Sequence, residues 1–319
     1  MSDVVTSPLV SAAPTERLTL SAAARDVVAL GKPGITSMAA IVAAGTWLLA
    51  TPTLDTASIF RGALGILGVT FIVMGAGALN MLIERDVDAL MTRTRNRPLA
   101  ARRMSPVVAL VVGLGLVTAA LPLLAVQGNT LTFGLGLFSL FLYVLVYTPM
   151  KRTSAWSLVV GAVPGAMPAL MGGTLATGHL EVVGLSMFAV VFLWQLPHFL
   201  AISLYRESEY VAAGHKVVPT AVGVDTTKTL IIATTAPLCA LGVALWPLGI
   251  GGPVFAFIAV LVGVWFTVVC AQGFAATNGR AQVDAWARRA FIASLVWQTV
   301  LFGALAADRV LFALFATPS

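Results

Sequence analysis

The sequence predicts an all-α fold, a polytopic membrane bundle of nine transmembrane helices. Hydrophobic residues make up 59% of the 319 residues and charged residues only 10%, whereas a soluble domain usually has about 25% charged residues. Apolar runs of about 18 or more residues recur along nearly the whole chain, a pattern typical of membrane-spanning helices. The nine expected spans lie at about residues 34–52, 62–82, 105–126, 130–147, 156–177, 181–203, 229–248, 252–273 and 290–313.

The chain is expected to consist of a short tail and one membrane domain. Residues 1–24 lack the basic stretch followed by an apolar core that marks a secretory signal. We therefore expect them to form a disordered cytoplasmic tail. Their Ala- and Ser-rich composition leaves organellar targeting as the alternative, although Asp3 and Glu16 argue against it. Residues 25–319 are expected to form a single integral membrane domain.

Basic residues lie almost entirely in alternate loops. Those that precede span one or follow spans two, four, six and eight are Arg17, Arg25, Lys32, Arg85, Arg93, Arg95, Arg97, Arg102, Arg103, Lys151, Arg152, Arg206, Lys216, Lys228, Arg280, Arg288 and Arg289. Only Arg61 and Arg309 lie on the other side. Because basic residues favour the cytoplasmic face, we expect a bacterial cell-membrane protein with its N-terminus in the cytoplasm and its C-terminus outside. The net charge of +6 then reflects topology and headgroup contact, not nucleic-acid binding.

Acidic residues share two of these loops, although a topology signal does not require them. Asn80, Glu84 and Asp88 are spaced four residues apart, so a helix places them on one face. An amide oxygen and two carboxylates are hard ligands that suit Mg²⁺. The alternative is a solvated helix end whose acids pair with nearby arginines. Because the helix dipole disfavours acids at a C-terminus, we predict a bound cation.

A set of basic residues is expected on the same face of the membrane as these acids. They are Arg93, Arg95, Arg97, Lys151 and Arg152. Carboxylates alone repel a polyphosphate, whereas carboxylates that hold Mg²⁺ and are ringed by Arg and Lys attract it. The pattern therefore predicts a diphosphate substrate. For each base taken singly, the alternative is a topology anchor.

A second polar constellation lies at the end of span six. Gln195, His198, Ile202, Tyr205 and Glu209 recur at three or four residues, which predicts one helical face. An ionisable residue inside a membrane indicates function, so His198 is a candidate haem-iron ligand, general acid/base or cation stabiliser. The alternative is a hydrogen-bonded packing histidine. We also expect Glu207 and Glu209 to complete a second Mg²⁺ site facing the first, and His215 to be solvated.

The segment YTPMKRTSAWSLVVGAVPGAMPAL places Tyr147 beside Lys151 and Arg152 at the same membrane face. It also contains the small residues Gly161 and Gly165, which allow close helix packing. The same small side chains leave room for a bulky flat substrate. Both interpretations are open from the sequence alone.

Together these motifs resemble a known family of membrane enzymes. The N-x-x-x-E-x-x-x-D pattern in NMLIERDVDALMTRTRNRPL is similar to the first metal motif of the UbiA superfamily of intramembrane prenyltransferases. The segments GKPGIT, YTPMKRTSAWSLVVGAVPGAMPAL, WQLPHF and YRESEYVAAGHKVVPTAVG resemble the protohaem IX farnesyltransferases, or haem O synthases, within it. The resemblance extends over about residues 29–310.

This resemblance implies a UbiA-like bundle around a cavity open to the membrane, with cytoplasmic active-site loops 2–3 and 6–7. It implies Mg²⁺-dependent transfer of the farnesyl group of farnesyl diphosphate to a vinyl group of haem b, with addition of water. Two departures from the family pattern are Glu84, where Asp is commoner, and the pair Glu207 and Glu209, where aspartates are expected.

The resemblance also implies roles for particular residues. Asn80, Glu84 and Asp88 would hold the metal, and His198 would lie beside the haem. The substrate-binding residues would be Arg93, Arg95, Arg97, Tyr147, Lys151, Arg152, Gln195, Tyr205, Arg206 and Tyr210. Expected partners are farnesyl diphosphate, haem b, the lipid bilayer, and haem A synthase or terminal oxidase assembly proteins.

Two alternative functions remain open. One is prenyl transfer to an aromatic quinone precursor, against which WQLPHF and EYVAAG argue. The other is a secondary transporter, since apolar helices with Pro-interrupted segments also fit that class. A transporter places its ionisable site near the middle of the bilayer, whereas the acids here cluster at one face. The charge distribution therefore favours the enzyme.

Overall fold

The computed structural model describes residues 20–276 and 279–315, and within these the chain is helical with no strand. Residues 1–19 of the expected tail lie outside the described residues, whereas residues 20–24 begin the first helix. The α-helices are α1 (Leu20–Leu30), α2 (Pro33–Ala50), α3 (Thr56–Ile83), α4 (Arg85–Asp88), α5 (Pro106–Pro122), α6 (Thr130–Phe141), α7 (Thr148–Met150), α8 (Ser157–Thr177), α9 (Val182–Tyr205), α10 (Glu207–Ala212), α11 (Val218–Val222), α12 (Val224–Ala244), α13 (Pro253–Ala271) and α14 (Arg280–Phe315). Wider π-helical turns follow α5 and α6, and a 3₁₀ turn follows α13.

Within the described residues, nine helical stretches are long and apolar enough to cross a membrane, which confirms the predicted number. They are Pro33–Ala50, Thr56–Ile83, Pro106–Val126, Thr130–Met150, Ser157–Thr177, Val182–Tyr205, Val224–Ala244, Pro253–Ala275 and Arg280–Arg309. The seventh and ninth spans begin earlier than predicted. They do so because their polar first turns, with Asp225 and Arg280, continue the helix beyond the apolar run.

Several helices begin at side chains that satisfy their free backbone N–H groups. Asp55 and Ser58 form a reciprocal capping box at the start of α3. The Glu181 carboxylate accepts hydrogen bonds from the N–H groups of Val183 and Gly184 at the start of α9. Such caps replace hydrogen bonds that the first turn of a helix cannot make within itself. In a membrane they also fix where each helix leaves the aqueous phase.

Helix α8 lies at the centre of the bundle. It packs against α2 and α9, while α3 packs against α5, and α9 packs against α12 and α14. In α8, 67% of the membrane-spanning window is buried, against 17% for Thr130–Met150. The small residues of α8 allow this burial, since a Cβ added at Gly172 would meet the backbone of Ala43 in α2.

The α3–α5 and α9–α11 connections meet at one end of the bundle. The Glu209 carboxylate accepts hydrogen bonds from the Thr92 hydroxyl at 2.6 Å and from the Arg93 N–H at 3.0 Å. The Lys216 N–H donates to the carbonyl of Lys151 at 2.9 Å, which joins the α7–α8 connection to the same end. These contacts bring three distant segments around one cavity.

Candidate active site

The predicted row of Asn80, Glu84 and Asp88 occupies one face where α3 continues into α4. The Glu84 N–H donates to the Asn80 carbonyl at 2.9 Å, and the Asp88 N–H donates to the Glu84 carbonyl at 2.7 Å. Helical spacing is therefore kept through the join. The three side chains are buried, with exposed fractions of 0%, 8% and 1%. Buried polar groups of this kind need partners.

Glu84 is held between an amide and a cation. Its Oε2 accepts a hydrogen bond from Asn80 Nδ2 at 3.0 Å, and its Oε1 lies 2.7 Å from Nζ of Lys151. Asn80 Nδ2 also donates to the Thr148 hydroxyl at 2.9 Å. Burial alone would raise the pKa of Glu84, but the positive charges of Lys151 and Lys32 lower it overall. The carboxylate therefore stays ionised and available to a cation.

Lys32 completes the row from the start of α2. Its ammonium group donates a hydrogen bond to Oδ1 of Asn80. Its backbone has φ of 50°, a left-handed conformation that is strained for lysine. Burial, together with the positive charges of Arg97 and Lys151, lowers the pKa of Lys32 to about 7. Lys32 thus has a strained backbone and a disfavoured charged form, and its ammonium group is directed at the row. Both features are typical of residues in functional sites.

Asp88 forms the third pair of the row. Both of its carboxylate oxygens accept hydrogen bonds from Nη1 of Arg97, at 2.9 and 2.7 Å. Its side chain is 1% exposed and that of Arg97 is 21% exposed. Each of the three oxygen-bearing side chains therefore faces a lysine or an arginine. The donor set is all oxygen and suits Mg²⁺, but a bound metal would require these cations to release the oxygens.

A cavity of about 320 Å³ opens beside the row. Charged side chains line its mouth, and they are Lys32, Glu84, Asp88, Arg93, Arg97, Lys151 and Lys216. Its inner wall includes Leu158, Gly161, Gly165, Phe199 and Ile202. The cavity thus combines a charged entrance with an apolar interior, which suits a molecule with a charged head and an apolar body.

Two glycines of α8 admit larger side chains of other helices at this wall. A Cβ at Gly161 would meet the ring of Tyr147, and a Cβ at Gly165 would meet the side-chain amide of Gln195. Lys151 Nζ lies 4.6 Å from the centre of the Tyr147 ring. The two glycines therefore allow close packing, as the first sequence interpretation predicted, and they also line the cavity.

The row predicted at Gln195, His198, Ile202, Tyr205 and Glu209 does not reach Glu209, and its members within α9 have two different environments. Gln195 and Ile202 line the cavity, whereas His198 and Tyr205 do not. Helix α9 ends at Tyr205, and α10 begins at Glu207 after Arg206, whose backbone is not helical. Steps of three and four residues turn by about −60° and +40°, so the members within α9 stay within about 80° of one another. Gln195 and Ile202 lie at the edge of this arc that faces the cavity, and His198 and Tyr205 lie at the edge that faces Phe291 of α14.

His198 instead packs between α9 and α14. Its ring stacks 4.6 Å from Trp194 and lies 4.5 Å from Phe291. Its Nδ1 lies 2.8 Å from the hydroxyl of Ser294, which itself donates to the Phe291 carbonyl at 2.6 Å. The hydroxyl oxygen therefore accepts from an Nδ1–H of His198. The surroundings of His198 match the packing alternative that the sequence left open.

The structure does not assemble the expected second metal site. Glu207 pairs with Arg280 of α14, and Glu209 bonds to Thr92, Arg93 and Arg206. Neither carboxylate lines the cavity. In the part of the chain that the structure describes, no three His, Cys, Asp or Glu side chains are grouped to hold a metal. Because the helix breaks at Arg206, the spacing of α9 does not extend to these acids, and both pair with arginines.

The expected substrate-binding residues divide into two groups. Those that line the cavity are Arg93, Arg97, Tyr147, Lys151, Gln195 and Tyr210, while Arg95, Arg152, Tyr205 and Arg206 do not line it. Arg95 and Arg152 are exposed. Tyr205 packs on Phe291, and Arg206 is held by Glu209 at 2.8 Å. Loop 2–3 therefore contributes alternate arginines to the cavity.

Four residues line the cavity that were not predicted to do so from the sequence, namely Lys32, Tyr143, His215 and Lys216. Thr148, whose hydroxyl accepts a hydrogen bond from Asn80, was not predicted either. Lys32 had a usable signal, a cation beside a proline at the head of an apolar span. His215, expected to be solvated, is only 7% exposed and lines the cavity. Its Nδ1 has no hydrogen-bond partner among the described residues, and burial lowers its pKa. No feature of the sequence marked Thr148 as part of the site.

The chain belongs to the UbiA prenyltransferase family, whose family model matches residues 37–308. Two curated relatives are named protoheme IX farnesyltransferase. That of Sorangium cellulosum is 49% identical over 76% of this chain and 85% of its own length. That of Anaeromyxobacter sp. (strain Fw109-5) is 42% identical over 88% of this chain and 93% of its own length.

Solved structures share the fold. A structure of digeranylgeranylglyceryl phosphate synthase in membranes has a TM-score of 0.74 and 13% identity, and the match covers 90% of this chain and 98% of that one. A UbiA homolog from Archaeoglobus fulgidus, bound to GPP and Mg²⁺, has a TM-score of 0.64 and 15% identity, with coverage of 88% and 99%. These likenesses confirm the predicted UbiA-like helical bundle.

Proposed function

We propose that this protein transfers the farnesyl group of farnesyl diphosphate to a vinyl group of haem b and adds water, which gives haem O and diphosphate. The relatives named protoheme IX farnesyltransferase, at 42–49% identity, support this acceptor and donor. The structural observation that carries the proposal is the buried row of Asn80, Glu84 and Asp88, set against Lys151 and Arg97 at the mouth of an apolar cavity.

The row is proposed to hold Mg²⁺. The homolog from Archaeoglobus fulgidus was solved with GPP and Mg²⁺, and Asn80, Glu84 and Asp88 offer only oxygen ligands, as Mg²⁺ requires. Bound there, Mg²⁺ would supply positive charge to the departing diphosphate. The lysines and arginine that now occupy these oxygens would then turn to the phosphate oxygens, to which they donate charge-assisted hydrogen bonds.

The other cavity residues have separate proposed roles. Lys151, Arg93 and Arg97 stabilise the negative charge that builds on diphosphate as the bond between its oxygen and farnesyl C1 breaks. The rings of Tyr143 and Tyr147 line the same mouth and stabilise the cationic C1 through their π faces. The apolar inner wall excludes bulk water, which would otherwise capture that cation.

Bond formation then follows in the apolar interior. The terminal vinyl carbon of haem attacks C1, and the positive charge moves to the vinyl carbon beside the porphyrin. Water forms a C–O bond at that carbon, and its proton passes to diphosphate. The reaction needs no covalent enzyme intermediate.

We further propose that the cavity mouth faces the cytoplasm of a bacterial cell, with the N-terminus inside and the C-terminus outside. The bias of basic residues towards alternate loops supports this orientation. A cytoplasmic mouth would admit the diphosphate head from water, while the farnesyl tail and haem enter from lipid. Residues 1–24 would then form a cytoplasmic tail, and haem A synthase or oxidase assembly proteins would receive the product.

The test is direct. Membranes containing the protein are incubated with haem b, farnesyl diphosphate and Mg²⁺, and the masses of the haem products are measured by mass spectrometry. We expect a product heavier than haem b by one farnesyl group plus water, and its formation should stop when Mg²⁺ is chelated. A parallel incubation contains a quinone precursor in place of haem. If only this incubation gave a prenylated product, the acceptor would be the quinone precursor and not haem.

A further inference from the structure

The side-chain amide of Gln195 has a fixed orientation. Its Nε2 donates to the Ala162 carbonyl of α8 at 3.0 Å and to the Val191 carbonyl at 3.2 Å. Both N–H groups are therefore used, and the amide cannot be flipped without placing an oxygen against two carbonyl oxygens. The side chain is 5% exposed, and its Oε1 has no hydrogen-bond partner among the residues that the structure describes.

Gln195 lies just beyond the charged mouth of the cavity. The Tyr147 ring fits against Gly161, and the Gln195 amide fits against Gly165, one turn further along α8. Four helical residues advance about 6 Å. Lys151 Nζ lies over the Tyr147 ring, so a diphosphate held by Lys151 would place farnesyl C1, and the vinyl group that attacks it, near the depth of Gln195.

The free amide oxygen differs from the groups around it. Phe199 and Ile202 follow Gln195 by about one and two turns on the same cavity wall and are apolar. Ser203, also in the wall, already donates its hydroxyl to the Leu200 carbonyl. An oxygen that only accepts, in an otherwise apolar wall, is satisfied by a donor such as water.

We propose that Oε1 of Gln195 binds the water molecule that adds to the haem cation. This inference rests on the proposed function. An acceptor that takes an O–H of water leaves a lone pair of that water free to attack the cationic carbon. The hydroxyl of Tyr147, whose ring packs one turn away along α8, has no hydrogen bond within the described ranges and lines the same cavity, so it can supply a further contact that a buried water needs.

The alternative fate of the cation makes the inference testable. When water adds, a C–O bond forms at the carbon beside the porphyrin and the water proton passes to diphosphate. When water is absent, the neighbouring CH₂ group passes a proton to diphosphate instead, and an alkene conjugated to the porphyrin forms. Both routes release diphosphate, but the second product is lighter by one water. Gln195 is thus a positioning residue whose loss changes the product more than the rate.

The experiment compares Gln195→Met with the wild-type protein. Methionine has a similar volume and no acceptor oxygen. We expect the ratio of hydroxylated product to alkene to fall about tenfold, the effect of one lost hydrogen bond, and by more than any fall in diphosphate release. In H₂¹⁸O, the wild-type product should contain ¹⁸O. Gly165→Ala, whose Cβ would displace the amide oxygen, should shift the ratio in the same direction with Gln195 intact.

Gln298→Met is the matched control. Gln298 is also a buried glutamine in a spanning helix, 2% exposed with an unpartnered Oε1, but it does not line the cavity. Its product ratio should equal that of wild type. An unchanged ratio in Gln195→Met, or a parallel loss of diphosphate release and hydroxylation, overturns the inference alone. A wild-type protein that forms no farnesylated haem overturns the proposed function and this inference with it.

Discussion

Nζ of Lys151 lies 2.7 Å from Oε1 of Glu84, although the two residues are 67 positions apart in the sequence. The pair joins the end of α3 to the α7–α8 connection. Two similar contacts, Lys32 to Asn80 and Arg97 to Asp88, flank it. The side chains proposed to bind the metal therefore pair in this structure with those proposed to bind the diphosphate. Binding of magnesium diphosphate would exchange three internal pairs for pairs with the ligand, which limits the net cost of desolvation.

Asp88→Asn tests the metal assignment. Asparagine keeps the shape of the side chain and can still accept a hydrogen bond from Arg97, so we expect the thermal unfolding midpoint to change little. It removes an anionic metal ligand, so turnover of haem b should fall by about 100-fold, the scale seen when one charge-stabilising group is lost. Product formation by mass spectrometry and unfolding in detergent measure the two effects.

Asp86→Asn is the control for that change. Asp86 lies in the same short helix but is 90% exposed and pairs only with Arg85 at the surface, so its removal should leave turnover unchanged. If Asp88→Asn kept wild-type turnover, the proposed metal role of Asp88 would be wrong.

Lys151→Met tests the proposed diphosphate contact. The variant loses a cation at the cavity mouth, and this cation is one of those that lower the pKa of Glu84. Because a hydrogen bond to a charged group contributes about 1.5–3 kcal/mol, we expect the KM for farnesyl diphosphate to rise at least tenfold. The KM for haem should change much less. Steady-state kinetics with each substrate varied in turn distinguish the two.

Arg152→Met serves as the comparison for Lys151→Met. Arg152 is the next residue, yet it is exposed and does not line the cavity, so both KM values should stay near wild type. Equal effects of the two substitutions would show that general positive charge, and not the Lys151 contact, holds the diphosphate.

The sequence predicted the parts of the site that depend on helical spacing. Asn80, Glu84 and Asp88 share a face because backbone geometry alone sets that relationship. The partner cations could not be chosen from the sequence, since Arg95 and Arg97 differ only in which one the loop turns inward. Likewise, His198 contacts Ser294 and Phe291 of α14 and not the cavity. These partners lie about 95 residues further along the chain, so local spacing could not reveal them.

Glu209 joins two loops, and Glu209→Ala should loosen them. The carboxylate accepts hydrogen bonds from Thr92 and from the Arg93 N–H, so its removal frees the segment that contains Arg93 and Arg95. We expect faster tryptic cleavage after these two arginines in the folded protein. Glu207→Ala is the matched control, because Glu207 pairs with Arg280 and not with this segment. Peptide mapping by mass spectrometry reports the cleavage sites.

The same contact predicts a pH dependence. Hydrogen bonds from Thr92, the Arg93 N–H and Arg206 lower the pKa of Glu209 to about 2, against an ordinary value of 4.5. A lowered pKa in the folded state stabilises the fold fully above pH 4.5, and this contribution is lost as the pH falls towards 2. The rate of tryptic cleavage after Arg93, divided by the rate for a peptide substrate, should therefore be constant from pH 6 to 9. A rise below pH 7 would point to a different titrating group.

Gly172→Ala tests whether close packing of α2 on α8 holds the bundle together. A Cβ at Gly172 would lie 3.0 Å from the carbonyl carbon of Ala43, and closer still to its oxygen. Helix backbone cannot move aside as a flexible side chain can, so the two helices must separate. Overpacking of this kind costs about 1–3 kcal/mol, and the thermal unfolding midpoint in detergent should fall.

Gly115→Ala is the control for Gly172→Ala, and it should not lower the unfolding midpoint. Gly115 lies within α5, and a Cβ there would meet nothing within 4 Å. Replacing a mid-helix glycine with alanine under those conditions stabilises a helix by about 0.5–1 kcal/mol, so the midpoint should hold or rise. If both substitutions lowered the midpoint equally, the loss would reflect glycine flexibility in general. A fall confined to Gly172→Ala would place it at the α2–α8 contact, which positions Lys32 against Asn80.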